Sequence, residues 1–143
     1  MKKFIFLCVL FAFSLSLRAQ DSGIRFFHGT WDEAIALAKK EKKKLFVDFY
    51  TEWCGPCLNM SLTVFVLPQV GEVYNKNFVC LKIDAEKGEG RELAKRYAVN
   101  SYPTYIFVNP KNQEIVHRSG SNKPVEDFLY DAQGGINPKL GSV

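Results

Sequence analysis

The sequence Trp-Cys-Gly-Pro-Cys at residues 53–57 decides the fold of this chain. It follows the apolar run 45–50, which is typical of a buried strand, and it precedes residues 58–62, which we expect to continue as a helix. Two thiols separated by two residues at a strand-to-helix turn favour a reactive cysteine. The free N–H groups and partial positive charge of a helix N-terminus stabilise a thiolate. We therefore predict thiol chemistry at this turn.

Cys54 is the predicted nucleophile, because it stands at the predicted first helical position and should be the more exposed thiol. Cys57, one helical turn later, could resolve a mixed disulfide formed on Cys54. One alternative is half of a zinc site, which would need further ligands from Cys80, His28 or His117, and these lack paired metal spacing. Another is a permanent structural disulfide, although so small a loop constrains the unfolded chain little. We expect no metal.

The first 19 residues have the layout of a secretory signal peptide. Lys2 and Lys3 form a short basic start, residues 4–17 are almost wholly apolar, and cleavage is predicted after Ala19. The apolar run is too short to span a bilayer comfortably, so we expect an exported protein without stable membrane insertion.

The remaining chain predicts one domain at residues 20–131 and a polar C-terminal tail at 132–143. Loss of residues 1–19 removes three basic residues and no acidic one, which leaves 16 basic against 15 acidic. Such a balance gives no indication of nucleic-acid binding. No Gly-rich phosphate loop is present in the sequence, and we expect no bound cofactor and a monomer.

Alternating apolar patterns predict an α/β protein. Thr30 and Glu33 form a predicted capping box, and Trp31 begins an amphipathic helix. A second helix is expected to follow the Cys pair, and Pro68 interrupts it before a further helical piece that ends at residue 76. Two more helices are expected, over residues 89–97 and 124–131. The predicted strands cover residues 24–27, 45–50, 78–83, 104–108 and 114–119. The order predicts a mixed central sheet, mostly parallel with a C-terminal antiparallel hairpin, flanked by helices.

Two motifs resemble the thioredoxin superfamily, and the resemblance covers roughly residues 24 to 131. Residues 46–50 before the Cys pair are similar to the thioredoxin motif, with six residues from Asp48 to Cys54. Residues 99–104 look like the family's cis-proline loop. The entry to the first helix and the region around Pro68 look more like exported domains, such as the periplasmic C-terminal domain of the disulfide reductase DsbD.

Asp48 is an ionisable group on an otherwise apolar strand face, where burial should raise its pKa towards neutrality. The alternative is a strand acid that reaches solvent. The resemblance implies that Asp48 lies behind Cys57 and assists its deprotonation. It also implies a cis bond before Pro103, with the Tyr102 backbone presented to an extended substrate. Trp53 and Tyr102 would form an aromatic rim, and ordinary packing is the alternative for both.

Cys80 departs from the thioredoxin pattern. The resemblance places a lysine at this position, beside the buried acid, whereas Lys82 lies two residues further along the strand. We therefore expect Asp48 to lack its usual positive partner. Cys80 itself is expected to be a small buried hydrophobic residue, and a third redox-active thiol is the alternative.

Together these features predict an exported, periplasmic thiol–disulfide oxidoreductase that reduces disulfides in protein substrates. The resemblance implies that a membrane protein recharges it with electrons. Two other functions stay open: an oxidase or isomerase of the same fold, and a non-enzymatic binding module. A metal chaperone would release stoichiometric metal on alkylation of its thiols.

Overall fold

A computed structural model describes residues 22–140, so the predicted signal peptide lies outside the described residues. The chain forms five helices and four strands within that range. In chain order they are α1 (Trp31–Glu41), β1 (Lys44–Tyr50), α2 (Gly55–Thr63), α3 (Pro68–Asn77), β2 (Phe78–Asp84), α4 (Gly90–Arg96), β3 (Thr104–Val108), β4 (Ile115–Gly120) and α5 (Val125–Ile136). None of the described helices is long and apolar enough to cross a membrane.

The four strands form a mixed sheet in the order β2-β1-β3-β4. β1 pairs in parallel with β2 and antiparallel with β3, and β3 pairs antiparallel with β4. The mixed sheet is confirmed, but the prediction that it is mostly parallel was wrong. The seven residues of α4 extend only about 10 Å, which is less than half the length of a seven-residue strand at about 3.3 Å per residue. Because β2 runs parallel to β1 and β3 runs antiparallel to it, β3 begins at the end of the sheet where β2 finishes.

The predicted first strand at residues 24–27 is reduced to one bridge. Phe26 pairs with Cys80, and the Phe27 N–H donates to the Cys80 carbonyl over 2.8 Å. The neighbouring backbone groups bond elsewhere: Ile24 donates to the Phe65 carbonyl, and Arg25 donates to the Asn75 side chain. The segment therefore leaves β2 after one residue and lies against α3.

The first helix begins as the sequence predicts. The Glu33 N–H donates to Thr30 Oγ1, and the Thr30 N–H donates to the Glu33 carboxylate, which completes the capping box. Trp31 and Ile35 are buried on the inner face of α1.

The last helix is longer than predicted, and the polar tail predicted from residue 132 was wrong for its first five residues. α5 continues to Ile136, with Gly134 and Gly135 buried. A Cβ atom added to Gly135 would lie 2.3 Å from the Phe107 ring, and one added to Gly134 would lie 2.7 Å from His117. The two glycines let the helix approach the sheet closely, so here they continue the helix and do not end it.

The sheet is covered on both faces, and the strand β1 contributes to both cores. Leu45, Val47 and Phe49 face the core beneath α1 and α4. Phe46 faces the other core, where aromatic rings from α3, β3 and α5 pack around it. Within this core the rings of Tyr74 and Phe128 are stacked with centroids 4.5 Å apart. β1 is thereby fixed from both sides, and its end at Tyr50 positions the turn that follows.

The extent of α5 can be tested by truncation. A chain that ends at Asp131 should lose about 2–4 kcal/mol of free energy of unfolding, because it loses the buried last turns of the helix. It also loses the carbonyls of Gly135 and Ile136, to which Lys44 Nζ donates over 2.8 Å. Urea denaturation measures the loss. A chain that ends at Asn137 is the control and should unfold like the full chain; equal stability of all three chains would contradict the account.

Candidate active site

The two cysteines of the turn are bonded to one another. Cys54 and Cys57 form a disulfide with an S–S distance of 2.08 Å. Cys54 is the N-cap of α2, one residue before the predicted position, and the Cys57 N–H donates to its Sγ over 3.2 Å. Both cysteines are almost buried, with 5% and 3% exposure, so the expected difference in exposure is small. The N–H group on the Cys54 sulfur is suited to stabilising a thiolate there.

Asp48 is fully buried at the centre of the sheet. Its side chain follows Phe46 by two residues, so it points to the face on which α2, α3 and α5 pack. Neither carboxylate oxygen has a hydrogen-bond partner within residues 22–140. Burial raises the pKa of Asp48 to about 7, against a smaller lowering by the positive charge of Lys82. The predicted burial of this acid is confirmed, and it can exchange a proton near neutral pH.

Lys82 is the positive neighbour that the sequence analysis expected to be missing. Parallel pairing of β1 with β2 places Lys82 directly opposite Asp48. Its Nζ donates to Ser61 Oγ over 2.5 Å and lies 5.0 Å from the centre of the Tyr50 ring. Lys82 therefore links β2 to α2 and also moderates the pKa of Asp48, so the expectation of an acid without a positive partner was wrong.

Sequence reasoning missed Tyr105 on the other side of Asp48. Antiparallel pairing of β1 with β3 places Tyr105 opposite Asp48, and the Tyr105 hydroxyl is buried without a hydrogen-bond partner in the described chain. Burial, with a smaller effect of the Asp48 charge, raises the pKa of Tyr105 well above its usual value. The Thr51 hydroxyl is also buried and unpartnered among residues 22–140. The signal for Tyr105 in the sequence was a phenol hydroxyl next to the apolar run 106–108 of β3.

The expected aromatic residues lie beside the disulfide. The Trp53 side chain is 68% exposed, and its ring meets that of Tyr102 edge to face with centroids 5.9 Å apart. The Tyr102–Pro103 peptide bond is cis, which confirms the expectation from the cis-proline loop. The Trp53 indole N–H donates to the Glu86 carboxylate over 3.1 Å. Glu86 was not predicted; it holds the indole in place.

The other candidate ligands lie apart from this turn. Cys80 is buried, forms no disulfide among the described residues, and its thiol lies 3.8 Å from the Tyr74 carbonyl. Burial raises the pKa of the Cys80 thiol far above the physiological range. His117 Nε2 lies 3.2 Å from Asp131 Oδ1, and Asp131 Oδ2 accepts hydrogen bonds from Ser119 and Lys123. Within residues 22–140, no three His, Cys, Asp or Glu side chains are grouped to hold a metal ion.

The sequence of this chain is similar to that of known thiol–disulfide exchange proteins. A family model described as thioredoxin-like matches residues 27–110. Thioredoxin-1 of Drosophila yakuba is 39% identical over 83 residues, which are 58% of this chain and 72% of that protein. Thiol:disulfide interchange protein DsbD of Pseudomonas fluorescens is 34% identical over 83 residues, which are 57% of this chain but only 14% of that protein.

The solved structures agree with the sequence comparisons. A candidate disulphide-isomerase of Bacteroides thetaiotaomicron is 42% identical, with a TM-score of 0.73, over 83% of this chain and 98% of that one. The thioredoxin fold is thereby confirmed, and the chain is a thiol–disulfide oxidoreductase. More particularly, it belongs to the thioredoxin-like family.

The carboxyl of Asp48, buried and without a hydrogen-bond partner among residues 22–140, should make stability depend on pH. Its pKa is about 7 in the folded protein and about 4 in an unfolded chain. Between these values the unfolded chain loses its proton while the folded protein keeps it, so stability falls as pH rises from about 4 to 7. Asp48→Asn should therefore stabilise the protein by up to about 4 kcal/mol at pH 8 and change little at pH 4. Chemical denaturation at both pH values measures this.

Asp131→Asn is the matched control. Asp131 is also buried, but it is paired with Lys123 over 2.5 Å and with Ser119 over 2.6 Å. The same substitution should destabilise there by about 2 kcal/mol, because it removes the charge that accepts hydrogen bonds from the half-buried Lys123 and Ser119. Destabilisation by Asp48→Asn at pH 8 would show that the carboxyl has partners in the folded protein.

Proposed function

We propose that the protein is an exported reductase of protein disulfides, with Cys54 as nucleophile and Cys57 as resolving thiol. The observation that carries the proposal is the position of Cys54, whose sulfur caps α2 and accepts the Cys57 N–H over 3.2 Å. The same contact would stabilise negative charge on Cys54 when the pair is reduced.

The reaction transfers two electrons from the dithiol to the substrate. The Cys54 thiolate attacks one sulfur of a substrate disulfide, which forms a mixed disulfide and releases one substrate thiolate. The Cys57 thiolate then attacks the Cys54 sulfur and releases the second substrate thiolate. Protons taken up by the two leaving sulfurs balance those lost by the cysteines. The protein ends with the Cys54–Cys57 disulfide, as in the structure.

Asp48 is proposed to manage the proton of Cys57. Its carboxyl lies on the sheet face against which α2 packs, and Cys57 is on the buried side of α2. A pKa of about 7 suits this task, because the carboxylate can take the thiol proton and return it near neutral pH. Lys82 and Tyr105, on either side of Asp48, are proposed to tune this pKa.

The substrate would bind beside Trp53, Tyr102 and Pro103. The exposed Trp53 ring and the Tyr102 ring contact each other next to the disulfide, and aromatic rings of this kind suit contact with an incoming chain. The proposed substrates are proteins that contain disulfides, and no cofactor or metal is part of the proposed reaction.

Export and the electron donor belong to the same proposal. The basic start and apolar run of residues 1–19 support a signal peptide and a periplasmic location. A reductant in an oxidising compartment must be reduced again, and the similarity to part of DsbD supports a membrane donor of thiol electrons.

Disulfide isomerisation is a second candidate function. The similarity at 42% identity to a candidate disulphide-isomerase supports it. An isomerase uses the same attack by Cys54 but releases a rearranged substrate, so the dithiol is not consumed.

Two single substitutions test the proposed reductase. Cys57→Ser should leave attack by Cys54 intact but prevent resolution, so a mixed disulfide with native insulin, whose disulfides are intact, should accumulate on non-reducing gels. Cys54→Ser should form no such species and should lower the rate of insulin reduction at least about 100-fold. Mass spectrometry of the trapped species identifies the linked cysteine.

The controls separate the reductase from the other possibilities. Cys80→Ala removes a thiol outside the site and should reduce insulin at the wild-type rate. Full activity of Cys54→Ser would contradict the proposal, because another group would then attack the substrate disulfide. Absence of insulin reduction by the wild-type protein would favour a binding module. Repair of scrambled ribonuclease, without net loss of dithiol, would favour the isomerase.

A further inference from the structure

An uncharged stretch begins at the redox turn. Between Glu52 and Glu72 the sequence contains no Asp, Glu, Lys or Arg, although 24% of the whole chain is charged. Large apolar side chains from this stretch are exposed: Trp53 at 68%, Leu58 at 60% and Leu62 at 65%. We call the two leucines, which both lie on α2, the apolar stripe.

The stripe begins one helical turn after the reactive cysteine and follows one face of α2. Leu58 follows Cys54 by four residues and its N–H donates to the Cys54 carbonyl over 3.2 Å. Leu62 follows Leu58 by four residues, so both leucines lie on the same side of the helix. Eight residues from Cys54 to Leu62 correspond to about 12 Å along the helix axis.

Packing of the protein's own core does not account for these leucines. The buried side of α2 consists of Cys57 and Met60, and Met60 belongs to the aromatic core beneath the helix. The leucines point away from that core. Single exposed apolar residues are common, but a contiguous series next to a reactive group indicates a contact surface.

The other side of the redox turn is charged. Glu86 accepts the indole N–H of Trp53, and Glu52 forms an ion pair with Lys87. The surroundings of Cys54 are therefore asymmetric, with charged side chains in the loop after β2 and the exposed leucines of α2 on the other side. Such a surface suits a protein segment whose reacting cysteine has apolar residues on either its N-terminal or its C-terminal side, but not on both.

We propose that Leu58 and Leu62 bind the protein partner of thiol exchange through apolar side chains that flank its reacting cysteine. An extended segment advances about 3.3 Å per residue, so a length of about 12 Å corresponds to four residues. Alternate side chains share one face, so the second and fourth residues from the cysteine would contact the stripe. This inference rests on the proposed function and adds a preference among its substrates.

Activated peptides test the preference directly. Each peptide carries one cysteine as a mixed disulfide with 2-thiopyridine, and Leu or Ser at the second and fourth positions on its N-terminal or C-terminal side. Attack by the Cys54 thiolate releases pyridine-2-thione, and Cys57 then releases the peptide thiol. Leu on either the N-terminal or the C-terminal side of the cysteine should raise the second-order rate constant for pyridine-2-thione release. The expected increase over the matched Ser peptide is about five- to tenfold.

Matched variants connect the preference to the stripe. The double variant Leu58→Asn, Leu62→Asn should remove the advantage of the Leu peptides and leave the rate with Ser peptides within about twofold. Leu140→Asn changes an exposed leucine outside α2 and should keep the full preference. Thermal unfolding of the variants shows that each is folded.

The outcomes separate this inference from the proposed function. Equal rates for Leu and Ser peptides with reduced wild-type protein overturn the inference, while the thiol chemistry stands. Absence of pyridine-2-thione release from every peptide overturns the proposed function itself. If the substitutions abolish a dimer seen by sedimentation and leave peptide rates unchanged, the stripe binds a second copy of the chain and the inference is wrong.

Discussion

The structure depends on the position of β1, which is hydrogen-bonded by β2 on one side and β3 on the other. A strand paired on both edges and covered on both faces cannot shift without breaking both cores. Its end at Tyr50 therefore fixes where the turn to α2 begins. The position of Cys54 at the N-cap follows from this constraint, because only four residues separate β1 from α2.

β1 also carries Asp48, whose burial lowers the free energy of unfolding. Asp48 is buried between Lys82 and Tyr105 without a hydrogen bond from the described residues, so its charged form is disfavoured. A structural role would be better served by an apolar residue or by a paired acid such as Asp131, whose carboxylate accepts three side-chain contacts. A buried acid that titrates near pH 7 is suited to proton transfer. The surrounding aromatic core supplies the stability that offsets it.

Local patterns predicted the parts of the fold that local interactions determine. The capping box of Thr30, the strand Thr104–Val108 and the Cys pair at the start of α2 were all expected from sequence. The predicted direction of β3 was wrong, because it depends on the end of the sheet at which the connection through α4 returns the chain. The pairing of Lys82 with Asp48 was missed, because strand register is set between distant segments. The end of α5 was missed because its glycines pack against rings of the sheet, which composition alone does not show.

The reduction potential of the Cys54–Cys57 disulfide tests the central claim most directly. On this fold potentials extend from about −270 mV for thioredoxin to about −120 mV for DsbA, so the value separates a reductant from an oxidant. Equilibration of the protein with glutathione and dithiothreitol buffers, followed by alkylation and mass spectrometry, gives the potential. A protein-disulfide reductase predicts a value below about −200 mV, near that of thioredoxin. A value above about −200 mV would contradict the account and would assign the protein to disulfide formation or isomerisation.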